Sequence, residues 1–299
     1  MSSKADKHLH RKVRLVAPYP FTYQMRIKRD DVGKTILDFL HSRLGFRKKE
    51  EWLQRIAWGW IQQNEITAEA HFEVKASDSI TLFNPRVIEP SVPDEVRVLD
   101  ETADWLAVFK PAPMPVHPGG RYYYNSLTEI LKEMGFQSLH VIHRLDAVTS
   151  GILLFAKSAD FASKAQQEFM GDRVRKTYLA RVSGQPKQQF FKVNHGIKRK
   201  KSFVFELSDS VDAKSAETHF EVKKSDSKES VLYCYPITGR THQIRLHALK
   251  AGYPISDDYI YNPQSEGFGG EIQQRGISLM HTALEIPNLK IRLTCEDDW

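Results

Sequence analysis

Apolar residues recur at helical spacing twice early in the chain, at Ile36, Leu37, Leu40 and Leu44 and again at Trp52, Leu53, Ile56 and Trp60. Steps of three and four predict two amphipathic helices. The short runs His71–Val74 and Ser79–Phe83 read as strands that close a small module over residues 21–84. Ahead of it, residues 1–20 form a basic arm without periodicity that ends in a Pro18-Tyr19-Pro20 turn. Behind it, Pro85, Pro90 and Pro93 predict an extended linker over residues 85–95, because proline lacks the N–H and the backbone freedom a helix needs. A larger domain then occupies residues 96–299. Trp105–Lys110, Gly151–Ala156, Thr177–Val182, Glu217–Val222 and Ser230–Ile237 read as strands, with helical spacing inserted at Leu127–Met134 and Ala159–Met170. Thr241–Gly252 predicts a further helix, with a threonine near its N-cap and a glycine at its stop.

Length and composition narrow the class. At about 150 residues per domain, 299 residues suggest two domains. A hydrophobic share of 41% and a charged share of 27% exclude a mostly disordered chain. The apolar runs fall well short of the ~20 residues a membrane span needs, and the first residues lack the apolar stretch of a signal peptide. Cys234 and Cys295 stand far apart without metal-ligand spacing, which predicts a reducing, cytoplasmic setting and no structural zinc. The 43 Lys and Arg against 37 Asp and Glu leave a net charge of +6, and Lys198–Lys201 is an unbroken basic run. A polyanionic partner fits this balance, and so does a merely solvated basic surface.

Three segments place polar residues where a fold would otherwise take apolar ones. In His140–Ser158, His143, Arg144 and Asp146 sit in a loop just before the apolar run Gly151–Ala156. A loop presented by a rigid strand suits catalysis, although a surface Arg144–Asp146 contact would look the same. In Pro236–Ser256, Arg240, His242, Arg245 and His247 follow Thr238-Gly239, which ends a strand. A helix start bearing arginines suits phosphate, whereas two histidines five residues apart fit a helical zinc site poorly. In Arg175–Gly184, Tyr178 lies among cations, suited to stacking on a nucleobase or to packing in a core.

Taken together, in this order, these segments resemble the RluA-type RNA pseudouridine synthases. HRLDAVTSGILLFAKS resembles the family's aspartate motif, KPAPMPVHP its upstream strand-loop motif, KTYLARVSG its tyrosine motif and PITGRTHQIRLHALKAGYPI its arginine motif, and ISLMHTALEI resembles its closing Leu-x-His motif. The resemblance runs from about Val96 to the C-terminus. It implies an α+β catalytic domain on a mixed, mainly antiparallel sheet, and a reaction that detaches uracil from ribose, turns it over and rejoins it through carbon five. It also implies that Asp146 is the catalytic carboxylate, Arg245 its cation and Tyr178 the ring against the base. A nearby cation would favour the ionised carboxylate that a nucleophile or base requires. Arg144 would fill the gap left by the flipped nucleotide, with His143, Arg240, Lys110 and His117 as further substrate-binding residues.

No cofactor or metal is expected; the partner is RNA, tRNA or rRNA, with no membrane, and the protein is expected to be a monomer. HPGGRYYYNSLTEIL resembles a family subset that includes tRNA-modifying members. The front module resembles the small S-four RNA-binding fold, with Arg47-Lys48-Lys49 at a helix start and a strand at Ile61–Asn64. Two departures stand out: Glu65 where that fold usually has glycine, and Ser256-Asp257-Asp258 where the family commonly reads Gly-Asp. A non-catalytic RNA-binding protein on the same scaffold is the rival reading. A metal-dependent nuclease would need a ligand cluster the sequence lacks.

Overall fold

The computed structural model describes residues 13–45, 47–201, 203–269 and 275–295. The first twelve residues of the basic arm lie outside them, as do residues 270–274 of the stretch before the closing motif. Two units separate by contacts, one over Val16–Glu89 and one from Pro90 onward together with the residues up to Leu15.

In chain order, β1 (Val13–Arg14) belongs to the larger unit. The front unit follows with β2 (Tyr19–Arg26), α1 (Ile36–Arg43), α2 (Lys49–Ala57), β3 (Ile61–Gln63), β4 (Ile66–Thr67) and β5 (Ser79–Val87). Its sheet is antiparallel in the order β2-β5-β3-β4. Thr35 caps α1 by accepting the Asp38 N–H at 3.1 Å. Ile36, Phe39, Leu40, Trp52, Ile56, Ile61 and Ile80 make the core, while Leu53 and Trp60 of the predicted stripe stay at least partly exposed.

Strand pairing reaches further than the prolines suggested. β2 begins at Tyr19, where a turn was expected. β5 runs through Pro85 because the pairing with β2 shifts register there, and a bulge needs no ladder N–H from proline. Within the expected linker, β6 (Val92–Pro93) pairs with β1. His71–Val74 contributes a single bridge, Thr35 to Glu73, rather than a strand.

The larger unit continues with β7 (Arg97–Glu101), β8 (Trp105–Lys110), α3 (Leu127–Glu133), β9 (His140–Val141), β10 (Ser150–Ala156), α4 (Ala159–Met170), β11 (Arg175–Ser183) and β12 (Phe190–Asn194). It ends with β13 (Ile197–Lys201), β14 (Val204–Leu207), β15 (Glu217–Ser225), β16 (Glu229–Pro236), α5 (Gln243–Lys250), β17 (Leu279–Ile286) and β18 (Ile291–Thr294). Ten strands form one mixed sheet with the backbone order β12-β15-β16-β11-β17-β10-β8-β7. Its pairings are antiparallel except β10 with β17. The fold is therefore α+β with a mixed, mainly antiparallel sheet, as the resemblance implied.

β10 reads as a continuous apolar run because both of its faces are covered. Ile152 and Leu154 pack with Ala162 and Ala165 of α4, and Leu153 and Phe155 with Leu127, Ile130 and Leu131 of α3. Each buried leucine, isoleucine or phenylalanine here stabilises the fold by about 1.5–3 kcal/mol. The parallel seam demands a glycine. Gly151 has φ +118°, and a Cβ there would lie 2.3 Å from the His281 carbonyl oxygen. This close approach sets the loop before β10 beside β17 and its neighbour β11.

Candidate active site

The loop that carries Asp146 is anchored from below. Lys110, at the end of β8, is fully buried, and its Nζ donates to the carbonyls of Pro111 (3.1 Å), Met114 (2.8 Å) and Ala147 (3.2 Å). Burial pushes this amine down to about 7, and the nearby Asp146 charge opposes the shift. Lys110 was expected to bind substrate. With its three donors turned inward it is instead a tether for the residue after Asp146.

His143 is held just as firmly. Its Nε2 accepts the Leu154 N–H at 3.1 Å, and its ring stacks on Phe169 at 4.9 Å. Accepting through Nε2 fixes the neutral tautomer. Burial, with His281 and Lys176 adding to it, drives its pKa well below the usual histidine value.

At the centre stands a chain of three charged groups. Arg245, from α5, is almost fully buried. Its Nε and Nη2 donate to the two oxygens of Asp258 at 2.7 and 2.8 Å, and its Nη1 donates to Asp146 Oδ2 at 3.3 Å. Burial alone would lower the guanidinium, but Asp258 and then Asp146 outweigh it, so its pKa is raised and it stays charged. Asp258 is saturated, since it also accepts the N–H groups of Ile260 and Tyr261. Asp146 is not: its side chain remains 26% exposed. The fold thus spends one carboxylate on holding the arginine and leaves the other facing the cleft.

His242 completes this corner. It has φ +57°, a strained left-handed conformation for a histidine, and it is the N-cap of α5, directly after Thr241. Gln243 secures the turn, because its Oε1 accepts the Arg240 N–H (2.9 Å) and the Thr238 hydroxyl (2.7 Å). His242 Nε2 lies 3.7 Å from Asp146 Oδ2, and its Nδ1 lies 2.6 Å from the Tyr261 hydroxyl. That hydroxyl also accepts the Phe205 N–H at 3.0 Å, which fixes the ring of Tyr261 against His242. Burial keeps the imidazole neutral, with its pKa lowered to about 4 against the pull of Asp146.

Tyr178 lies on β11 between Cys234 of β16 and His281 of β17. Its ring stacks on His281 with centroids 4.5 Å apart and planes 18° apart. Burial first, and Asp146 second, raise the phenol's pKa, so the hydroxyl stays protonated. His281 Nδ1 donates to the Ile152 carbonyl at 2.7 Å, and burial lowers this imidazole to about 4.

A cleft of about 560 Å³ gathers Asp146, Arg245, Tyr178, Arg144, His143, Arg240 and His117 on its walls. Of the eight residues predicted from sequence, Lys110 alone does not line it. Arg144, Arg240 and His117 are exposed at the rim, Arg240 steadied by a bond from Nε to the Ser215 carbonyl at 3.0 Å. Lys176 also lines the cleft, its Nζ 3.4 Å from the Thr238 carbonyl and its pKa lowered by burial.

Sequence reasoning missed Asp258, Lys176 and the His242–Tyr261 pair. The adjacent acids after Ile255 were the available signal for Asp258. Geometry separates them, since Asp257 takes the N–H and hydroxyl of Ser278 (2.7 and 2.9 Å) while Asp258 takes the arginine. Among the described residues no group of three or more His, Cys, Asp or Glu is placed to hold a metal ion. Nor is any helix among them long and apolar enough to cross a membrane.

Comparison with known proteins shows the family. The family model described as RNA pseudouridylate synthase matches residues 104–250. "RNA pseudouridine synthase 7" of Arabidopsis thaliana is 32% identical over 271 residues, covering 87% of this chain and 69% of that protein. The mitochondrial "tRNA pseudouridine(32) synthase" of Saccharomyces cerevisiae is 31% identical over 269 residues, covering 88% and 58%. The solved structure "Human RNA Pseudouridylate Synthase Domain Containing 1" superposes with a TM-score of 0.59 at 24% identity over 70% of this chain and 86% of that one, a likeness of fold. The chain spans about half to two thirds of the length of these and similar curated relatives. On this similarity, the chain belongs to the RNA pseudouridine synthase family.

Proposed function

We propose that this protein isomerises uridine to pseudouridine in structured RNA, with tRNA or rRNA as substrate. The single observation that carries the reading is the partly exposed Asp146 carboxylate, bonded to a buried arginine whose Nε and Nη2 both donate to Asp258. A protein that only binds phosphates has no use for a carboxylate facing them. The yeast relative's name points to tRNA.

In the proposed reaction the bond from N1 to the sugar breaks and a bond from C5 forms. C5 gives its proton to solvent and N1 takes one up, so the atoms balance without oxidant or reductant. Asp146 acts on the ribose as nucleophile or base, held by the bond from Arg245, with His242 beside it. Tyr178, seated on His281, packs against the base. Arg144 at the rim occupies the gap the flipped nucleotide leaves, at a cost of a few kcal/mol for the flip. Arg240 and the basic strand β13 grip backbone phosphates, so affinity falls steeply with salt. The same reading takes the enzyme to be cytoplasmic and monomeric.

Release of tritium from RNA labelled at uridine C5 tests the proposal, with tRNA and rRNA supplied separately. Release from one pool, absent in Asp146→Asn, is expected. Salt-sensitive binding without release would favour the non-catalytic reading instead.

A further inference from the structure

The front unit presents an aromatic pair that its own core does not require. α2 ends in a tight turn in which the Trp60 N–H donates to the Arg55 carbonyl (3.0 Å) and the Gly59 N–H to the Ile56 carbonyl (2.9 Å), with Gly59 at φ +72°. The Phe83 N–H then ties the Trp60 carbonyl to β5 at 2.7 Å. This doubly fastened turn sets the rings of Trp58 and Trp60 4.4 Å apart at 46°. Trp52 and Ile56 fill the core beneath, whereas Trp58 is 53% exposed. An exposed indole beside a second ring offers a flat apolar surface on which a base can stack.

The charge beside it favours an anion. The Arg55 guanidinium lies over the Trp60 ring at 5.1 Å and makes no ion pair among the described residues. Arg47, bonded to Glu51 at 3.0 Å, sits near enough for its charge to lower the Arg55 pKa further, after the larger effect of burial. A negative group placed here would relieve that repulsion. An exposed indole beside an arginine that shares the Glu51 charge with Arg47 matches a base and its phosphate. A protein helix would seek a broader apolar groove.

We propose that Trp58, Trp60 and Arg55 form a stacking platform for an unpaired nucleobase of RNA, with its phosphate against the arginine. The proposal rests on the reading of RNA as substrate and assigns the front unit a direct part in holding it.

The test uses the full-length protein with two fluorescently labelled probes, a uridine-rich single-stranded 10-mer and an unmodified tRNA transcript. Trp58→Ala is expected to weaken binding about 5- to 150-fold, the range for losing one base stacked on an aromatic side chain. Its thermal midpoint and its single-turnover rate at saturating RNA should stay at wild-type values, so that KM carries the loss. Trp58→Phe should restore most of the affinity. Arg55→Gln should reduce the salt slope by about one, while Trp58→Ala leaves the slope unchanged.

Wild-type affinity in Trp58→Ala would overturn the proposal. So would a wild-type dimer that Trp58→Ala converts to monomer, since a second copy would then be the occupant. The two readings fail separately. Tritium release with an unaltered KM in Trp58→Ala removes the platform and leaves the isomerase, whereas weakened binding in that variant without release from wild type does the reverse.

Discussion

Asp31 in the front unit and Asp146 in the larger unit are both carboxylates close to an arginine, yet the fold treats them differently. Asp31 is buried and fully used: Lys34 Nζ and Arg43 Nε each bond it at 2.7 Å, and their pull, led by the Lys34 bond, holds its pKa below the usual value. Asp146 shares its arginine with Asp258, takes the longer 3.3 Å contact and keeps an open side. A carboxylate whose partners are exhausted within the chain stabilises structure. One left incomplete beside a buried cation is available to a substrate. Incomplete satisfaction, rather than charge itself, marks the site.

The largest effect should come from removing the partner that allows this asymmetry. Asp258→Asn leaves buried Arg245 with Asp146 alone. Breaking a buried pair of this kind costs about 3–5 kcal/mol, so chemical denaturation should show a loss on that scale, and isomerase turnover should fall with it. Asp31→Asn is the matched control. Its two cations are partly exposed and can turn to water, so a loss of about 1–3 kcal/mol is expected, with single-turnover rate at saturating RNA unchanged.

Acid should separate the two regions. His242 and His281 have folded pKa values near 4 against an ordinary 6.5, and His143 is also well below it. As pH falls through 6.5 the unfolded chain takes up protons on these rings that the folded chain refuses, so stability drops from about 6.5 toward 4. Asp31 behaves oppositely in mechanism. Its depressed pKa gives stability that is present above the ordinary 3.8 and is lost as pH falls through the lower folded value. Circular dichroism with hydrogen exchange should therefore show the larger unit weakening first and the front unit only below about pH 4.

The smallest effect concerns strain that serves no site. Asn64 and Glu65 both hold positive φ, 51° and 70°, in the two-residue turn joining β3 and β4. Asn64 is compensated by bonds to Asp78 and Ser79, whereas Glu65 stands where the S-four resemblance expects glycine. Glu65→Gly should raise the unfolding free energy by about 0.5–1 kcal/mol without changing turnover.

Much of this was legible in the sequence because periodicity and motif order report local structure and chain order directly. The span of α4 and the placement of Asp146, Tyr178 and Arg245 around one cleft follow from such signals. Less was legible where a residue's role depends on a distant partner. Lys110 reads as a substrate-binding cation until three carbonyls close around it. His242 gains its orientation from Tyr261, nineteen residues on, through a backbone conformation that spacing does not reveal. Pro85 and Pro93 read as linker punctuation because a register shift and a two-residue pairing leave no periodic trace.

The central claim is that Asp146 is left open in order to react. Tritium release from C5-labelled tRNA by wild type and by Asp146→Asn, with RNA affinity and melting temperature measured in parallel, tests it most directly. The account predicts a loss of at least about a thousandfold in rate, the scale seen when an essential catalytic group is removed, with binding and stability retained. Release at the wild-type rate in the variant would contradict it.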